Sequence, residues 1–142
     1  MSSAPGTAGG NGAALRSVRV LTVDDQPLFR DAARAVIGAT PGFESIAEVP
    51  RGEDALALVA RLHPDLVLVD VSLPGIDGLE TSRRLAAAEP GPLVVLISAD
   101  DDPMLRDSAR SHGAVAFLSK QELRPRALRA LWERFGAVTR SG

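Results

Sequence analysis

Residues 65–71, DLVLVDV, form a nearly continuous apolar run that Asp70 interrupts. A short apolar run without alternation is typical of a central strand in a parallel sheet that is covered on both faces. Residues 93–98, LVVLIS, show the same pattern and predict a second central strand. Three further β-type runs are VRVLTV (18–23), FESIAEV (43–49) and AVAFLS (114–119). The run at 43–49 alternates and carries charge, which favours an edge strand.

Helical patterns fill the gaps between these runs. Apolar residues at helical spacing from Leu28 to Ile37 predict the first helix, and Gly52 to Leu62 repeat the pattern. The remaining three helices are expected to begin near Asp77-Gly78, at Asp102-Pro103 (ending at Gly113) and around Pro125. Strict alternation of strand and helix with short connections predicts an α/β domain of the doubly wound (βα)5 type.

The composition suits one globular domain. The 142 residues, 45% of them hydrophobic and 24% charged, are enough to bury a single core. We expect this domain to span residues 17–136, with a disordered N-terminal tail at 1–16 and a short C-terminal tail at 137–142, because both ends are poor in large apolar residues. No apolar run approaches the ~18 residues that a membrane span needs.

Charge and cysteine content narrow the function further. A net charge of −2 argues against nucleic-acid binding by this chain through bulk charge. The chain has no cysteine, which excludes disulfides, thiolate metal sites and a cysteine nucleophile and fits a cytoplasmic location.

Polar residues follow four of the five predicted strands. Asp24 and Asp25 end the first, Asp70 the third, Ser98 the fourth and Lys120 the fifth. Each alone could be an ordinary solvated strand end. In a doubly wound sheet, however, ligands bind outside the carboxyl ends of the strands, so this set predicts a shared site.

The residue types at this edge favour phosphoryl chemistry on a divalent cation. Two carboxylates about 4 Å apart repel by roughly 4 kcal/mol at an effective dielectric of 20, so the pair favours a bound cation. Carboxylate ligands without His or Cys indicate Mg²⁺ or Mn²⁺. Lys120 and Ser98 suit phosphate oxygens, and Asp70, central and followed by a turn, is the natural carboxylate to accept a phosphoryl group.

Four segments in order, VRVLTVDDQPLFRDAARAVI, LVLVDVSLPGIDGLE, VVLISA and GAVAFLSK, resemble the receiver domain of two-component response regulators over about residues 17–136. VDDQPLFR and SKQELRPRALRAL are most similar to the NarL/FixJ-like branch. The resemblance implies the flavodoxin-like receiver fold, with a five-stranded parallel sheet of order 2-1-3-4-5.

The resemblance also implies roles for single residues. Asp70 would be the phosphoacceptor. Asp24, Asp25 and Asp70 would hold Mg²⁺ together with the backbone carbonyl of Ser72, and Asp25 would be the more direct ligand of the first pair. Gln26 stands where the branch often has His, and its effect on dephosphorylation or kinase contact stays open.

The same resemblance implies a switch. Ser98 and Lys120 would contact the phosphoryl group, and Phe117 would be the aromatic residue that swings inward as Ser98 moves. A surface made by the fourth helix, the fifth strand and the fifth helix would then bind a downstream protein. The phosphodonor would be a histidine kinase, a phosphotransfer protein or a small phosphodonor. A phosphorylation-dependent homodimer stays open.

The sequence therefore predicts a stand-alone receiver that signals, with no catalysis beyond its own phosphotransfer and dephosphorylation. Two alternatives remain: a pseudo-receiver adaptor that works without phosphorylation, and a receiver fragment of a DNA-binding transcriptional regulator. An aspartate-nucleophile phosphatase would need a second acid where Ser72 stands, and an FMN binder would need a phosphate loop where the acidic DDQPLF lies.

Other conspicuous side chains have simpler interpretations. His63 and His112 are expected near helix ends, where the helix dipole suits an imidazole, and Trp132 is expected in the core. A solvated face is predicted for the arginines of the fifth helix, Arg124, Arg126, Arg129 and Arg134.

Overall fold

A computed structural model describes residues 16–136 of the chain. These residues form one parallel sheet of five strands in the order β2-β1-β3-β4-β5, which confirms the predicted fold class and strand order. The strands are β1 (Val18–Val23), β2 (Phe43–Val49), β3 (Leu66–Asp70), β4 (Leu93–Ser98) and β5 (Ala116–Ser119).

Helices connect successive strands. They are α1 (Pro27–Gly38), α2 (Gly52–Leu62), α3 (Gly78–Ala87), α4 (Pro103–Ser108) and α5 (Pro125–Leu131). Short 3-10 turns follow α4 at Ala109–His112 and β5 at Lys120–Glu122, and a π-helical turn at Trp132–Gly136 follows α5. The helix starts expected at Asp77-Gly78, Asp102-Pro103 and Pro125 are confirmed.

Three elements are shorter than the sequence predicted, and the first is β3, which spans Leu66–Asp70 rather than 65–71. The fifth strand begins at Ala116 rather than at Ala114, because the backbone N–H of Ala114 closes the preceding turn on the carbonyl of Ala109 at 3.1 Å. The fourth helix ends at Ser108 and continues as the 3-10 turn to Gly113, whose φ of 83° closes it.

The sheet is covered on both faces, as the apolar runs predicted. All five residues of β3 are buried, including Asp70, and β2 lies at an edge with half-buried side chains. One core cluster is centred on Leu21, Val67 and Leu96. The other is centred on Val20, Leu68 and Ile97. Adjacent residues of each strand thus face opposite sides, as pleating requires.

The remaining structural expectations have mixed outcomes. Trp132 is half-buried and packs against the second core cluster, and the four arginines of the C-terminal helix are exposed as expected. His63 caps the C-terminus of α2, and His112 is the last residue of the 3-10 turn that follows α4, both as expected. The predicted tails, apart from Arg16, lie outside the described residues.

Candidate functional site

Three aspartates converge at the carboxyl edge of the sheet because β1 and β3 are neighbours in register. Val23 pairs with Val69, so Asp24 and Asp70 extend from adjacent strands. One carboxylate oxygen from each of Asp24, Asp25 and Asp70 lies within 4.8 Å of the others. The structure therefore brings together the three acids that the sequence predicted.

Asp24 is fully buried, and its two oxygens have different surroundings. Oδ1 accepts a hydrogen bond of 2.7 Å from the backbone N–H of Gln26. Oδ2 has no well-aligned hydrogen bond from the described residues, although Lys120 Nζ lies 2.7 Å away as an ion-pair partner. A buried anionic oxygen without full hydrogen bonding is costly, which favours a cation at this place.

Asp70 is held for reaction at the end of the central strand. Its Oδ1 accepts a 3.1 Å hydrogen bond from the backbone N–H of Ser72, and its Oδ2 lies 3.7 Å from Lys120 Nζ. Burial raises the pKa of Asp70 above its ordinary value, the Ser72 N–H opposes this, and the charge of Asp24 adds to it. An ionised Asp70 therefore destabilises the folded protein, and a nearby cation would reduce that destabilisation.

Lys120 supplies the only ammonium side chain of the sequence, since the other 15 basic residues are arginines. Besides its two aspartate neighbours, Lys120 Nζ donates a 2.9 Å hydrogen bond to Oε1 of Gln26 and lies 4.4 Å from the ring centroid of Phe29. Gln26 precedes α1 without capping it through its side chain. Gln26, at the position where the resembling branch often has histidine, therefore contacts the lysine of the site.

Ser98 ends β4, the strand next to β3, and Phe117 lies in the neighbouring strand β5. Asp70 pairs with Ile97 across β3 and β4, so Ser98 extends one residue further along the same edge. Its hydroxyl accepts a 3.3 Å hydrogen bond from the backbone N–H of Asp100. Phe117 is 3% exposed, so its ring already lies inward in this structure.

Sequence reasoning missed two residues that position the acids. A side-chain carbon at Gly78 would overlap the backbone carbonyl of Asp70 and Cα of Val71, so α3 can approach the end of β3 only with glycine there. Arg30 donates a 2.6 Å hydrogen bond to the carbonyl of Asp24. From the sequence, the Asp77-Gly78 pair is used only to predict the start of a helix. A glycine at that start also indicates that the backbone of α3 lies close to another part of the chain.

The donor set fits a hard divalent cation. Asp24, Asp25 and Asp70 provide carboxylate oxygens, which are the ligands that Mg²⁺ and Mn²⁺ prefer. Asp25 is exposed and can turn toward a cation, whereas Asp24 is fixed by burial. The part of the chain described, residues 16–136, contains no helix long and apolar enough to cross a membrane.

Comparison with known proteins agrees with this geometry. Residues 20–132 match the response regulator receiver domain family. The positive alginate biosynthesis regulatory protein of Pseudomonas aeruginosa is 38% identical over 104 residues, which cover 72% of this chain and 41% of that protein. This chain spans less than half the length of such curated relatives.

Solved structures give the same result. The signal receiver domain of the response regulator NarL from Mycobacterium tuberculosis superposes with a TM-score of 0.75 at 32% identity, over 83% of this chain and 95% of that one. CheY in the CheX-CheY-BeF3-Mg complex of Borrelia burgdorferi gives 0.74 at 25% identity, over 88% and 94%. This chain belongs to the response regulator receiver domain family.

Proposed function

We propose that Asp70 accepts a phosphoryl group in a Mg²⁺-dependent reaction, and that the phosphorylated domain switches a protein-binding surface in two-component signalling. The observation that carries the proposal is the placing of Asp70 between two further aspartates and Lys120, whose Nζ lies 2.7 Å from Asp24 and 3.7 Å from Asp70. The donor is the phosphohistidine of a histidine kinase or phosphotransfer protein, or a small phosphodonor.

The transfer itself balances simply. A carboxylate oxygen of Asp70 attacks phosphorus; with phosphohistidine the phosphorus–nitrogen bond breaks and the leaving imidazole keeps the electron pair and takes up a proton, and with acetyl phosphate the phosphorus–oxygen bond breaks and acetate leaves with the electron pair. Little other covalent chemistry is required, because phosphoryl transfer depends on positioning and charge neutralisation. The Ser72 N–H is bonded to Oδ1 and so fixes the orientation in which the Asp70 carboxylate meets the phosphorus atom.

Four groups are assigned to the cation. Asp24, Asp25, Asp70 and the backbone carbonyl of Ser72 would hold Mg²⁺ or Mn²⁺, which when bound supplies positive charge next to the phosphoryl oxygens. The buried, incompletely hydrogen-bonded Oδ2 of Asp24 supports this assignment. The Borrelia relative, solved as a complex with Mg and BeF3, supports it as well.

Lys120 and Ser98 are assigned to the phosphoryl oxygens. Lys120 Nζ needs to move only from its Asp24 and Gln26 contacts toward the Asp70 side to donate there. The Ser98 hydroxyl can donate a second hydrogen bond. Phosphorylation adds about −1.5 to −2 charge, so it draws both groups inward and shifts the loops that carry them. Phe117, whose ring is already buried, would be the aromatic residue that stays inward as Ser98 moves.

The output surface is assigned to α4, β5 and α5. A groove between β5 and α5 is lined by apolar side chains, including Val115, Leu118 and Phe135, together with Arg110 and Arg134. Such a groove suits a downstream protein partner, or a second copy of the chain after phosphorylation. We place the domain at residues 17–136, in the cytoplasm, without nucleic-acid contact of its own and without catalysis beyond phosphotransfer and dephosphorylation.

Intact mass spectrometry after incubation with acetyl phosphate and Mg²⁺ tests the proposal. We expect one phosphate adduct on the wild type and none when EDTA replaces Mg²⁺. Asp70→Asn should take no phosphate, whereas Asp54→Asn, a matched change at an exposed aspartate of α2, should react like the wild type. An adduct that survives Asp70→Asn would contradict the site, and an unreactive wild type would favour the phosphorylation-independent adaptor.

A further inference from the structure

Arg106 of α4 joins three other parts of the chain through one guanidinium group. Its Nη2 lies 2.9 Å from Oδ1 of Asp101 and 3.0 Å from Oε1 of Glu122. Its Nη1 donates a 3.2 Å hydrogen bond to the backbone carbonyl of Phe117. Its Cζ also lies 5.1 Å from the centroid of the Phe117 ring.

Each of these partners is close in sequence to a residue of the candidate site. Asp101 lies three residues after Ser98, in the loop between β4 and α4. Phe117 lies three residues before Lys120, and Glu122 lies two residues after it. Arg106 therefore links the segment that carries Ser98 to the two segments that flank Lys120.

The Glu122 end of this link is itself fixed. Oε1 of Glu122 also accepts a 2.8 Å hydrogen bond from the backbone N–H of Ser119, which caps the 3-10 turn beginning at Lys120. This N–H and the Arg106 guanidinium lower the pKa of Glu122, so its carboxylate stays ionised near neutral pH. A displacement of Arg106 would therefore also displace Glu122 and the turn that begins at Lys120.

We propose that Arg106 is a positioning residue that holds Ser98, Phe117 and Lys120 in one mutual arrangement, a role that rests on the proposed phosphorylation of Asp70. The planar guanidinium reaches three acceptors in fixed directions while its face covers the Phe117 ring. A lysine ammonium has the same charge, but it cannot donate in the fixed directions of a guanidinium and has no planar surface to stack on the ring.

The structure explains why the link acts on the site more than on global stability. The Arg106 side chain is 38% exposed, and Asp101 and Glu122 are exposed at 64% and 45%, so each ion pair is screened by water. Phe117 is the one buried partner, at 3%. Losing the link would therefore free the two loops and remove one contact of the Phe117 ring, while the rest of the first core cluster stays packed.

The test compares Arg106→Lys with Arg84→Lys. Arg84 makes an ion pair of 2.8 Å to Glu80 within α3 and is 52% exposed, which makes it a matched control away from the three segments. The rate of Asp70 phosphorylation by acetyl phosphate should fall about two- to fivefold in Arg106→Lys, the size expected from a few partly exposed ion pairs. It should be unchanged in Arg84→Lys.

Selective labelling gives a readout that does not need phosphorylation. For this readout the variants are Arg106→Gln and Arg84→Gln, which add no lysine. Because Lys120 is then the only lysine, ¹⁵N-lysine labelling gives one backbone amide signal, and ¹⁹F-phenylalanine labelling gives a Phe117 signal that Phe117→Leu identifies. Both signals should shift in Arg106→Gln and stay in place in Arg84→Gln. Unshifted signals in Arg106→Gln would overturn the inference even if the wild type accepts phosphate. Shifted signals in a wild type that takes no phosphate would support the link and reject only the proposed function.

Discussion

Lys120 Nζ lies 2.7 Å from Oδ2 of Asp24, a carboxylate oxygen buried from water. The ammonium group thus neutralises the acid pair at the place that a divalent cation would occupy. A divalent cation bound at the three aspartates would therefore compete with the lysine for the same carboxylate and would free the lysine to approach Asp70.

Replacing Lys120 with methionine should strengthen Mg²⁺ binding. The variant loses one positive charge beside the acids, so we expect the Mg²⁺ Kd to fall about three- to tenfold, equivalent to roughly 1 kcal/mol at the dielectric of a partly buried site. Isothermal titration calorimetry measures this directly. Trp132 fluorescence is unsuitable, because Trp132 lines a cavity with Pro64 and Pro92, which precede β3 and β4 at the opposite edge of the sheet.

The same variant should lose phosphorylation by acetyl phosphate although it binds the metal more tightly. Arg84→Met is the control, since it removes an exposed basic side chain whose ion pair lies within α3, and it should leave both phosphorylation and the Mg²⁺ Kd near those of the wild type. Weaker Mg²⁺ binding in Lys120→Met would show that the lysine orders the acids and does not compete with the metal.

Asp70→Asn should raise the free energy of unfolding of the metal-free protein. Burial, together with the charge of Asp24, raises the pKa of Asp70, so ionised Asp70 destabilises the folded state at every pH above its folded pKa. Asparagine removes that charge at nearly constant volume. We expect an increase of a few degrees in the thermal midpoint at pH 7 in EDTA, since one kcal/mol corresponds to about 3 °C for a domain of this size.

Adding Mg²⁺ should reverse the order of the two proteins. The metal stabilises the wild type by binding the folded state, whereas Asp70→Asn has lost one carboxylate ligand. Asp54→Asn should follow the wild type under both conditions. A lower midpoint for Asp70→Asn in EDTA would mean that attraction to Lys120 outweighs the cost of burial.

Sequence alone placed the acids, Ser98 and Lys120 correctly at one edge, because the carboxyl ends of parallel strands coincide and apolar runs mark where strands end. It could not show that Gln26 reaches Lys120, 94 residues away, because that contact depends on how the loops after β1 and β5 fold. The contacts of Arg106 with Phe117 and Glu122 could not be predicted either. The sequence pattern predicts which face of a strand or helix is buried, whereas these contacts join residues of different elements.

Glu122 should make stability depend on pH in the acid range. The Ser119 N–H first, and then Arg106, lower the pKa of Glu122 below its ordinary value of 4.5. Its stabilising effect is therefore fully present above that value and is lost as the pH falls through the lower, folded pKa. Urea unfolding at pH 7 and in steps below pH 4.5 should show a smaller acid-induced loss in Glu122→Gln than in the wild type. Equal pH dependence in the two proteins would contradict the bonds to Ser119 and Arg106.

Gly78→Ala should destabilise the domain and displace the candidate phosphoacceptor. A methyl group at this position would overlap the carbonyl of Asp70 and the backbone of Val71, and neither can rotate away. The chain must move α3 off the end of β3, which we expect to cost about 1–3 kcal/mol. Gly38→Ala is the matched control, because an added carbon there meets nothing within 4 Å and the residue lies in α1. That change should be neutral or stabilise by about 0.4–1 kcal/mol. Urea unfolding measures both effects, and acetyl phosphate labelling should slow in Gly78→Ala alone. If Gly78→Ala were as stable as the wild type, the close contact between α3 and the backbone of Asp70 would be contradicted.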